Sequence, residues 1–361
     1  MKQNRPIEIF IPKLPKLSHY KKYLRKMDDN RVYSNAGPIV LELEERLANY
    51  FKVDEWQVVA CANATLGLEG AIFSSSAIGL KKKDIWSLPS WTFSATAAAV
   101  LRSGLTGQFL DVDNNWRVEA PKEILNVIDV LPFGDEINMD RFLNHKGKII
   151  IDAAAAFDSL KDFKINDFTR PLGVVLSFHA TKSLPGGEGG MFLTNDPEWS
   201  SNFRAWTKFG MKFGRESIVS GTNAKMSEIS ACLILASLDQ WYEEKQNWLK
   251  LNAIVKNITN KYGLKCHPAL EKDFVTPYWI IDLKSKLRKK NLENALSADN
   301  ISFRDWWVNG CHKMPAYKNF ECLSMRNTNK LAAETLGLPF HKYLSDKDFE
   351  RIDLAIESSL T

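Results

Sequence analysis

The chain has 361 residues, an ordinary apolar content of 45%, 25% charged residues and a formal net charge of +5. Such a composition excludes an intrinsically disordered, coiled-coil or collagen-like chain, and the length suits one large α/β unit or two subdomains that share an interface. The small basic excess is not gathered into a stripe. Its densest runs, Lys81-Lys82-Lys83 and Lys284 to Lys290, read as solvated faces, so neither a nucleic-acid nor a membrane partner is expected.

The N-terminal stretch Met1 to Leu17 carries Pro6, Pro12 and Pro15 and only the short apolar run Ile9-Phe10-Ile11, which is no signal-peptide core. No run approaches a membrane-spanning length. The five cysteines, Cys61, Cys232, Cys266, Cys311 and Cys322, lack any Cys-x-x-Cys spacing. A disulfide framework and a zinc site are therefore not expected, and a soluble cytoplasmic protein is.

From Pro38 to Phe51 the residues Val40, Leu43, Leu47 and Tyr50 recur at helical spacing opposite Glu42, Glu44, Glu45 and Arg46, with Pro38 in the first turn. Val58 to Cys61 then reads as a strand, Asn63-Ala64-Thr65 as a turn, and the small residues through Ala71 as a helix. The pattern recurs with strands at Ile85 to Leu88 and Gly107 to Val112 around a helix from Thr92 to Leu101. Two further apolar strands are expected at Lys148 to Ile151 and Gly173 to Phe178, with Met191 to Thr194 following a glycine-rich turn. Alternation of this kind predicts an α/β fold with a mostly parallel sheet covered on both faces. A long buried helix is predicted from Lys225 to about Leu251. Beyond it, Tyr278 to Leu283, Lys290 to Ser297, Ile301 to Phe303 and Asp346 to Ser359 predict a smaller α+β domain. The expected division is 1–245 and 246–361.

The chemistry concentrates in Ser177-Phe178-His179-Ala180-Thr181-Lys182-Ser183-Leu184-Pro185-Gly186-Gly187-Glu188-Gly189-Gly190. Lys182 follows an apolar strand and precedes a glycine-rich turn, which places it at the carboxyl edge of the sheet, where open α/β folds bind ligands. An amine there can form Schiff bases, although a lone lysine before such a loop is more often a surface residue. Two companions alter that balance. Asp152 ends a buried strand and needs a cation, either an Arg or Lys side chain or a protonated pyridine nitrogen. Asn63-Ala64-Thr65 opens a helix, where free N–H groups and a hydroxyl suit a phosphate or serve an ordinary cap.

Taken together, these motifs resemble the DegT/DnrJ/EryC1/StrS family of sugar aminotransferases, which use pyridoxal 5'-phosphate on a fold-type-I scaffold. The resemblance runs through Ser34-Asn35-Ala36-Gly37-Pro38, Pro89-Ser90-Trp91-Thr92-Phe93-Ser94-Ala95-Thr96, Asp152-Ala153-Ala154 and Ser177 to Gly190. It continues in Gly221-Thr222-Asn223-Ala224-Lys225-Met226-Ser227-Glu228-Ile229 and Leu336-Gly337-Leu338-Pro339-Phe340-His341. It implies a three-layer α/β/α large domain like that of aspartate aminotransferase and a small C-terminal domain. Lys182 would be the lysine that bonds the cofactor and shuttles the proton, and Asp152 the partner of the pyridinium. Ala64, Thr65 and Ser177 would cup the phosphate, joined by Asn223 from the other subunit of a homodimer. Phe93 matches the ring that stacks on the pyridine, where its place in the helix alone would make it a core residue.

Three departures stand out. Ala155 replaces a Gln common in relatives, Lys225 stands where Arg is common, and the stretch from Asp113 to Asp152 is short, so that Asp129 to Asn138 is expected to replace a longer piece of sheet and helix. The resemblance implies a nucleotide-linked keto sugar, in particular a dTDP-4-keto-6-deoxyhexose, with L-glutamate as amino donor, in surface-polysaccharide synthesis of the lipopolysaccharide O-antigen kind. A dehydratase or lyase, a transaminase for another small phosphorylated ketone, and a non-catalytic cofactor-binding protein are the alternatives. His179 reads equally as a substrate contact or a hydrogen-bonded structural side chain, and Glu188 as a substrate contact or a solvated carboxylate. Arg304, beside Trp306 and Trp307, reads as an anion contact or a packing residue.

Overall fold

The computed structural model describes residues 4–76, 84–119, 126–142 and 145–360. The Lys81-Lys82-Lys83 run lies outside them. Helices α1 (Leu17–Asn30) and α2 (Pro38–Phe51) lead into strand β1 (Val58–Cys61), then α3 (Ala64–Ser74), β2 (Ile85–Pro89), α4 (Ser94–Arg102) and β3 (Thr106–Leu110). Strands β4 (Val127–Val130), β5 (Ile149–Asp152), β6 (Leu172–Ser177) and β7 (Gly190–Thr194) precede α5 (Pro197–Trp206), α6 (Glu228–Asp239) and α7 (Trp241–Lys261). The C-terminal part holds β8 (Lys265–Cys266), α8 (Pro268–Glu271), β9 (Trp279–Asp282), α9 (Lys286–Ala298), β10 (Glu321–Cys322), α10 (Arg326–Glu334), β11 (Thr335–Leu338) and α11 (Asp346–Leu360).

Eight strands form one sheet in the order β1-β7-β6-β5-β4-β2-β3-β10, in which only β7 runs antiparallel to its neighbours. The central strands are apolar at nearly every position because each feeds two cores. Ile149 and Ile151 enter one apolar cluster and Ile150 the other, and Val174 and Val175 divide in the same way. Side chains alternate across a strand, so a sheet with helices on both faces has no polar side. A second, three-stranded antiparallel sheet, β11-β9-β8, belongs to the C-terminal part. The C-terminal part also returns β10 to the large sheet beside β3.

The α/β layering follows the sequence reading, with local corrections. The single helix expected from Lys225 to Leu251 is two helices. Ser227 caps α6 by accepting the Ser230 N–H at 3.1 Å, and the chain turns at Gln240 before α7, which contains the expected division at 245. The turn sends Trp241 into the core, where its Nε1 donates to the Tyr50 hydroxyl (2.9 Å) and its ring meets Phe157 edge-on. Ile301 to Phe303 is not a strand; it makes only an isolated bridge, Ile301 to Ile7, and a neighbouring one joins Arg304 to Gly337. Within the Lys284 to Lys290 run, Lys289 is buried rather than solvated, donating to the Ala332 carbonyl and pairing with Asp305 at 2.6 Å. Glu228 is committed to the fold, since its carboxylate accepts the N–H groups of Ile39 and Val40 at 2.7 and 3.2 Å and so supplies a negative group at the N-terminus of α2.

The short connection between Asp113 and Asp152 is pinned by a buried guanidinium. Asp129 and Val130 end β4, and Pro132 to Gly134 form a single tight turn. Arg117 pairs with Asp129, lies 3.5 Å from Asp135 and donates to the Glu136 carbonyl at 2.6 Å. Lys272 reaches Asp135 from the turn after α8. Removing one member of a buried pair strands the other charge and typically costs about 3–5 kcal/mol. Arg117→Met should therefore lower the unfolding free energy by about that amount in a urea titration, and a loss under about 1 kcal/mol would show that the guanidinium is not what pins the connection.

Candidate active site

Strand register assembles the site. Cys61 of β1 and Ser177 of β6 both lie opposite Gly190 of β7, and Asp152 of β5 lies opposite Val175 of β6 and Val130 of β4. The carboxyl ends of β1, β6 and β5 therefore share one edge of the sheet. Gly190 is required there, because a Cβ on it would come within 2.5 Å of the Asn63 carbonyl carbon. Just beyond β1, the Asn63 side chain accepts the Leu66 N–H at 2.9 Å and starts α3. The N–H groups of Ala64 and Thr65 fall in the first turn, where a helix offers them no carbonyl. Together with the helix dipole they form a ready anion cradle.

Asp152 is almost wholly buried. Its Oδ2 accepts the Thr96 hydroxyl at 2.7 Å and its Oδ1 the Ala154 N–H at 3.2 Å. Burial pushes its carboxyl above the ordinary carboxylate value; the two hydrogen bonds and the field of Lys182 oppose that rise. Among the described residues no cation lies within ion-pair distance of it.

The loop after β6 folds back on itself. Phe178 N–H donates to the Gly189 carbonyl (2.9 Å), Gly186 N–H to Phe178 (2.7 Å) and Ala180 N–H to Gly187 (2.9 Å), with Gly187 in the left-handed region at φ +82°. On this frame sits Lys182, whose Nζ donates to the Tyr278 hydroxyl at 2.9 Å. Ser177 Oγ accepts the His179 N–H at 3.2 Å. Phe93 immediately precedes α4 and is 62% exposed, which overturns its reading as a helix-core residue.

The remaining expected site residues divide. His179 Nδ1 bonds the Thr181 hydroxyl (2.8 Å) and its Nε2 stands 3.7 Å from Glu188, so these two form one pair at the mouth of the loop. Asn223 and Lys225 are joined to each other, Lys225 Nζ donating to Asn223 Oδ1, and Lys225 also lies over the Phe209 ring. Between them, Ala224 accepts the Ala62 N–H at 2.8 Å, which sets the segment beside the Asn63 turn with Asn223 exposed. Arg304 is stacked on Trp306, 5.0 Å from the ring. Ala155 lies in an apolar cluster with Trp91, Phe133, Tyr278 and Trp307. Thr96 and Tyr278 are site residues that the sequence reading does not single out. Thr96 closes the Pro89 to Thr96 motif, four residues on from Thr92, which it also contacts.

A mostly parallel α/β sheet that brings a lysine, a buried carboxylate without a cation and a helix N-terminus to one edge defines the fold of the pyridoxal-phosphate aminotransferases. The residues fit that cofactor: the buried carboxylate has no cation at ion-pair distance among the described residues, the first N–H groups of α3 open on the same edge, and the Phe93 ring is exposed. Comparisons with known proteins agree. A profile of the DegT/DnrJ/EryC1/StrS aminotransferase family matches residues 17–357. A dTDP-4-amino-4,6-dideoxy-D-glucose transaminase from Shigella dysenteriae is 28% identical, over 96% of this chain and 97% of its own. GDP-perosamine synthase from Caulobacter vibrioides is 26% identical over 94% of both chains. The crystal structure of DesI in the presence of its TDP-sugar product superposes with a TM-score of 0.83 at 26% identity, over 98% of this chain and 92% of that one. The chain belongs to the DegT/DnrJ/EryC1/StrS aminotransferase family, and it is a pyridoxal-phosphate-dependent aminotransferase.

Two outcomes test this geometry. Asp152→Asn keeps the shape but not the charge, and should lower turnover by about 100-fold or more, the scale of losing a charge aimed at a reacting group, while the fold persists by circular dichroism. Turnover within a few-fold of wild type would remove Asp152 from the chemistry. The second concerns His267, fully buried, whose Nε2 donates to the Tyr278 carbonyl at 3.0 Å. Burial lowers its pKa from 6.5 to about 4, against the hydrogen bond and the field of Asp135. The unfolded chain thus binds a proton that the folded one refuses, and stability is lost as pH falls from about 6.5 towards 4. Between pH 7 and pH 5 that loss is about 2 kcal/mol, read from urea midpoints and diminished in His267→Gln; an unchanged pH slope in the variant would assign it elsewhere.

Proposed function

We propose that the protein transfers an amino group from L-glutamate to a nucleotide-linked keto sugar, most specifically a dTDP-4-keto-6-deoxyhexose, as a cytoplasmic homodimer that supplies a surface glycan of the O-antigen kind. The observation that carries the reading is the placement of Lys182 and Asp152 at one sheet edge beside the α3 N-terminus, in a chain that matches a dTDP-sugar transaminase along 97% of that relative's length. All five cysteines are free, as suits a reducing compartment. No helix among the described residues is long and apolar enough to cross a membrane.

In this reading residues 1–245 form the cofactor domain and 246–361 the small domain. Bound pyridoxal 5'-phosphate supplies an electron sink for breaking and remaking a C–H bond beside nitrogen. Asp152 would hold the positive ring nitrogen, with the Thr96 hydroxyl and Ala154 N–H aiming the carboxylate and opposing the rise that burial imposes on it. Ala64, Thr65 and Ser177 hold the phosphate, with Asn223 reaching it from the partner subunit. Phe93 would cover one ring face, where an aromatic plane orients a flat group without hydrogen bonds. As a free amine, Lys182 would take and return a proton at Nζ. The His179–Glu188 pair at the loop mouth meets sugar hydroxyls, and Lys225 and Arg304 attract the diphosphate.

Purified with its cofactor, the protein should be yellow, bleach when glutamate is added and release 2-oxoglutarate; Lys182→Ala should do none of these. A colourless wild type overturns the assignment of Lys182. A yellow protein that releases no 2-oxoglutarate overturns glutamate transamination in favour of a dehydratase or lyase. Incubation with glutamate and a panel of nucleotide keto sugars, read by the mass of the product, identifies the sugar.

A further inference from the structure

The amine of Lys182 has one hydrogen-bond partner among the described residues, and that partner comes from the small sheet. Tyr278 immediately precedes β9, and its hydroxyl lies 2.9 Å from Lys182 Nζ, while the amine stands 5.4 Å from the ring centre. The ammonium is therefore placed at the hydroxyl end of the ring and not over its face. Tyr278 is only 5% exposed. Phe133 meets its ring edge-on at 5.5 Å and Trp306 at 4.9 Å, and its backbone carbonyl accepts from His267 Nε2. Such a ring cannot turn away without disturbing its neighbours, so the hydroxyl is fixed before any ligand arrives.

We propose that Tyr278 is the positioning residue for Lys182: it holds the amine at the sheet edge whenever that amine is not bonded to the cofactor. The proposal rests on the reading of Lys182 as the cofactor lysine. A lysine in that role is released as a free amine in every half-reaction and must remain within reach, although its side chain carries up to about 2 kcal/mol of rotamer entropy that favours wandering. A phenol can hold the amine in both of its charge states. Its oxygen accepts an N–H from the ammonium, and its O–H donates to the lone pair of the neutral amine. No covalent bond forms or breaks at Tyr278. Burial of the phenol among aromatic rings strengthens the contact by excluding competing water. The same contact ties the segment that leads into the small sheet to the amine of Lys182.

Tyr278→Phe removes one oxygen and keeps the ring. In the cofactor-free protein at fixed pH, the rate at which trinitrobenzenesulfonate labels Lys182, followed by mass spectrometry, should rise about threefold or more, because the amine loses the partner that occupies it. Labelling of the part-buried Lys256 should not change. In the holoenzyme kcat should fall about tenfold with the KM for glutamate altered less than twofold. A general loosening of the fold would raise labelling at both lysines. If the Phe variant does not fold, 3-fluorotyrosine at 278 keeps the packing and makes the phenol more acidic, and should shift the Lys182 labelling rate on its own. Unchanged Lys182 labelling with kcat within twofold of wild type, or equal increases at both lysines, would overturn the proposal. Borohydride treatment of the wild-type holoenzyme separates the underlying reading: without a cofactor adduct on Lys182, it is the assignment of Lys182 that fails.

Discussion

Asp152 is a carboxylate carried to the end of an apolar strand and held there out of water, with two hydrogen bonds and no cation at its side among the described residues. Left alone, that arrangement is unfavourable, since desolvation penalises the charged form and pushes its protonation upward. Much of the surrounding structure bears on this one group. Strand β5 is flanked by parallel neighbours and buried on both faces, so its last residue emerges where the sheet ends and the chain must turn. The four alanines from Ala153 to Ala156 keep that turn small. Thr96 reaches the carboxylate only because α4 begins shortly after β2 and lies against the same edge. The cost of Asp152 is tolerable in a protein that binds a cation there, and the electron sink proposed for the reaction needs that pairing.

Six strands of the large sheet were legible in the sequence because a strand covered on both faces has to be apolar throughout; β4, broken by Asp129, and the two-residue, exposed β10 were not. Helix existence was legible from periodicity, helix continuity less so. Ser227 and Gln240 divide the stretch from Lys225 to Leu251, but the reason for the second break is Trp241 docking against Tyr50 and Phe157, residues far away in the chain. Lys289 shows the same limit. A lysine in a basic run reads as solvated, and only the carbonyl of Ala332 and the carboxylate of Asp305 explain its burial.

Within the site, residues that act through the backbone or through strand register were readable. Asn63, Asp152 and Lys182 each sit at or just beyond a strand's end, and a position along a strand is visible in an apolar run. Tyr278 was not readable in this way. It is 96 residues from Lys182, and nothing in Thr276-Pro277-Tyr278-Trp279 distinguishes a tyrosine that packs from one that bonds an amine. Thr96 lies 56 residues from Asp152, and its hydroxyl faces the carboxylate because of how α4 lies against the sheet. Pairings that cross from one element to another depend on the angle between those elements, which composition and periodicity do not encode.

The short connection before β5 and the small residue at 155 belong to one arrangement. Arg117 gathers Asp129 and Asp135 beneath the connection, and Phe133, in the tight turn above it, stacks on Trp307 at 4.3 Å and meets Tyr278 edge-on. Ala155 lies in the same cluster, and Gly134 passes so near that a Cβ there would be 2.8 Å from the Ala155 carbonyl oxygen. A long polar side chain at 155 would have to share this volume with close-packed rings, and interiors of that density do not accept added atoms cheaply. Around Ala155 the cluster is furnished with aromatic rings, and Tyr278 is the ring among them that turns a hydroxyl towards Lys182. Phe133, Ala155 and Tyr278 thus share one cluster, in which the rings packed around Phe133 limit the volume at 155 and hold the phenol in place.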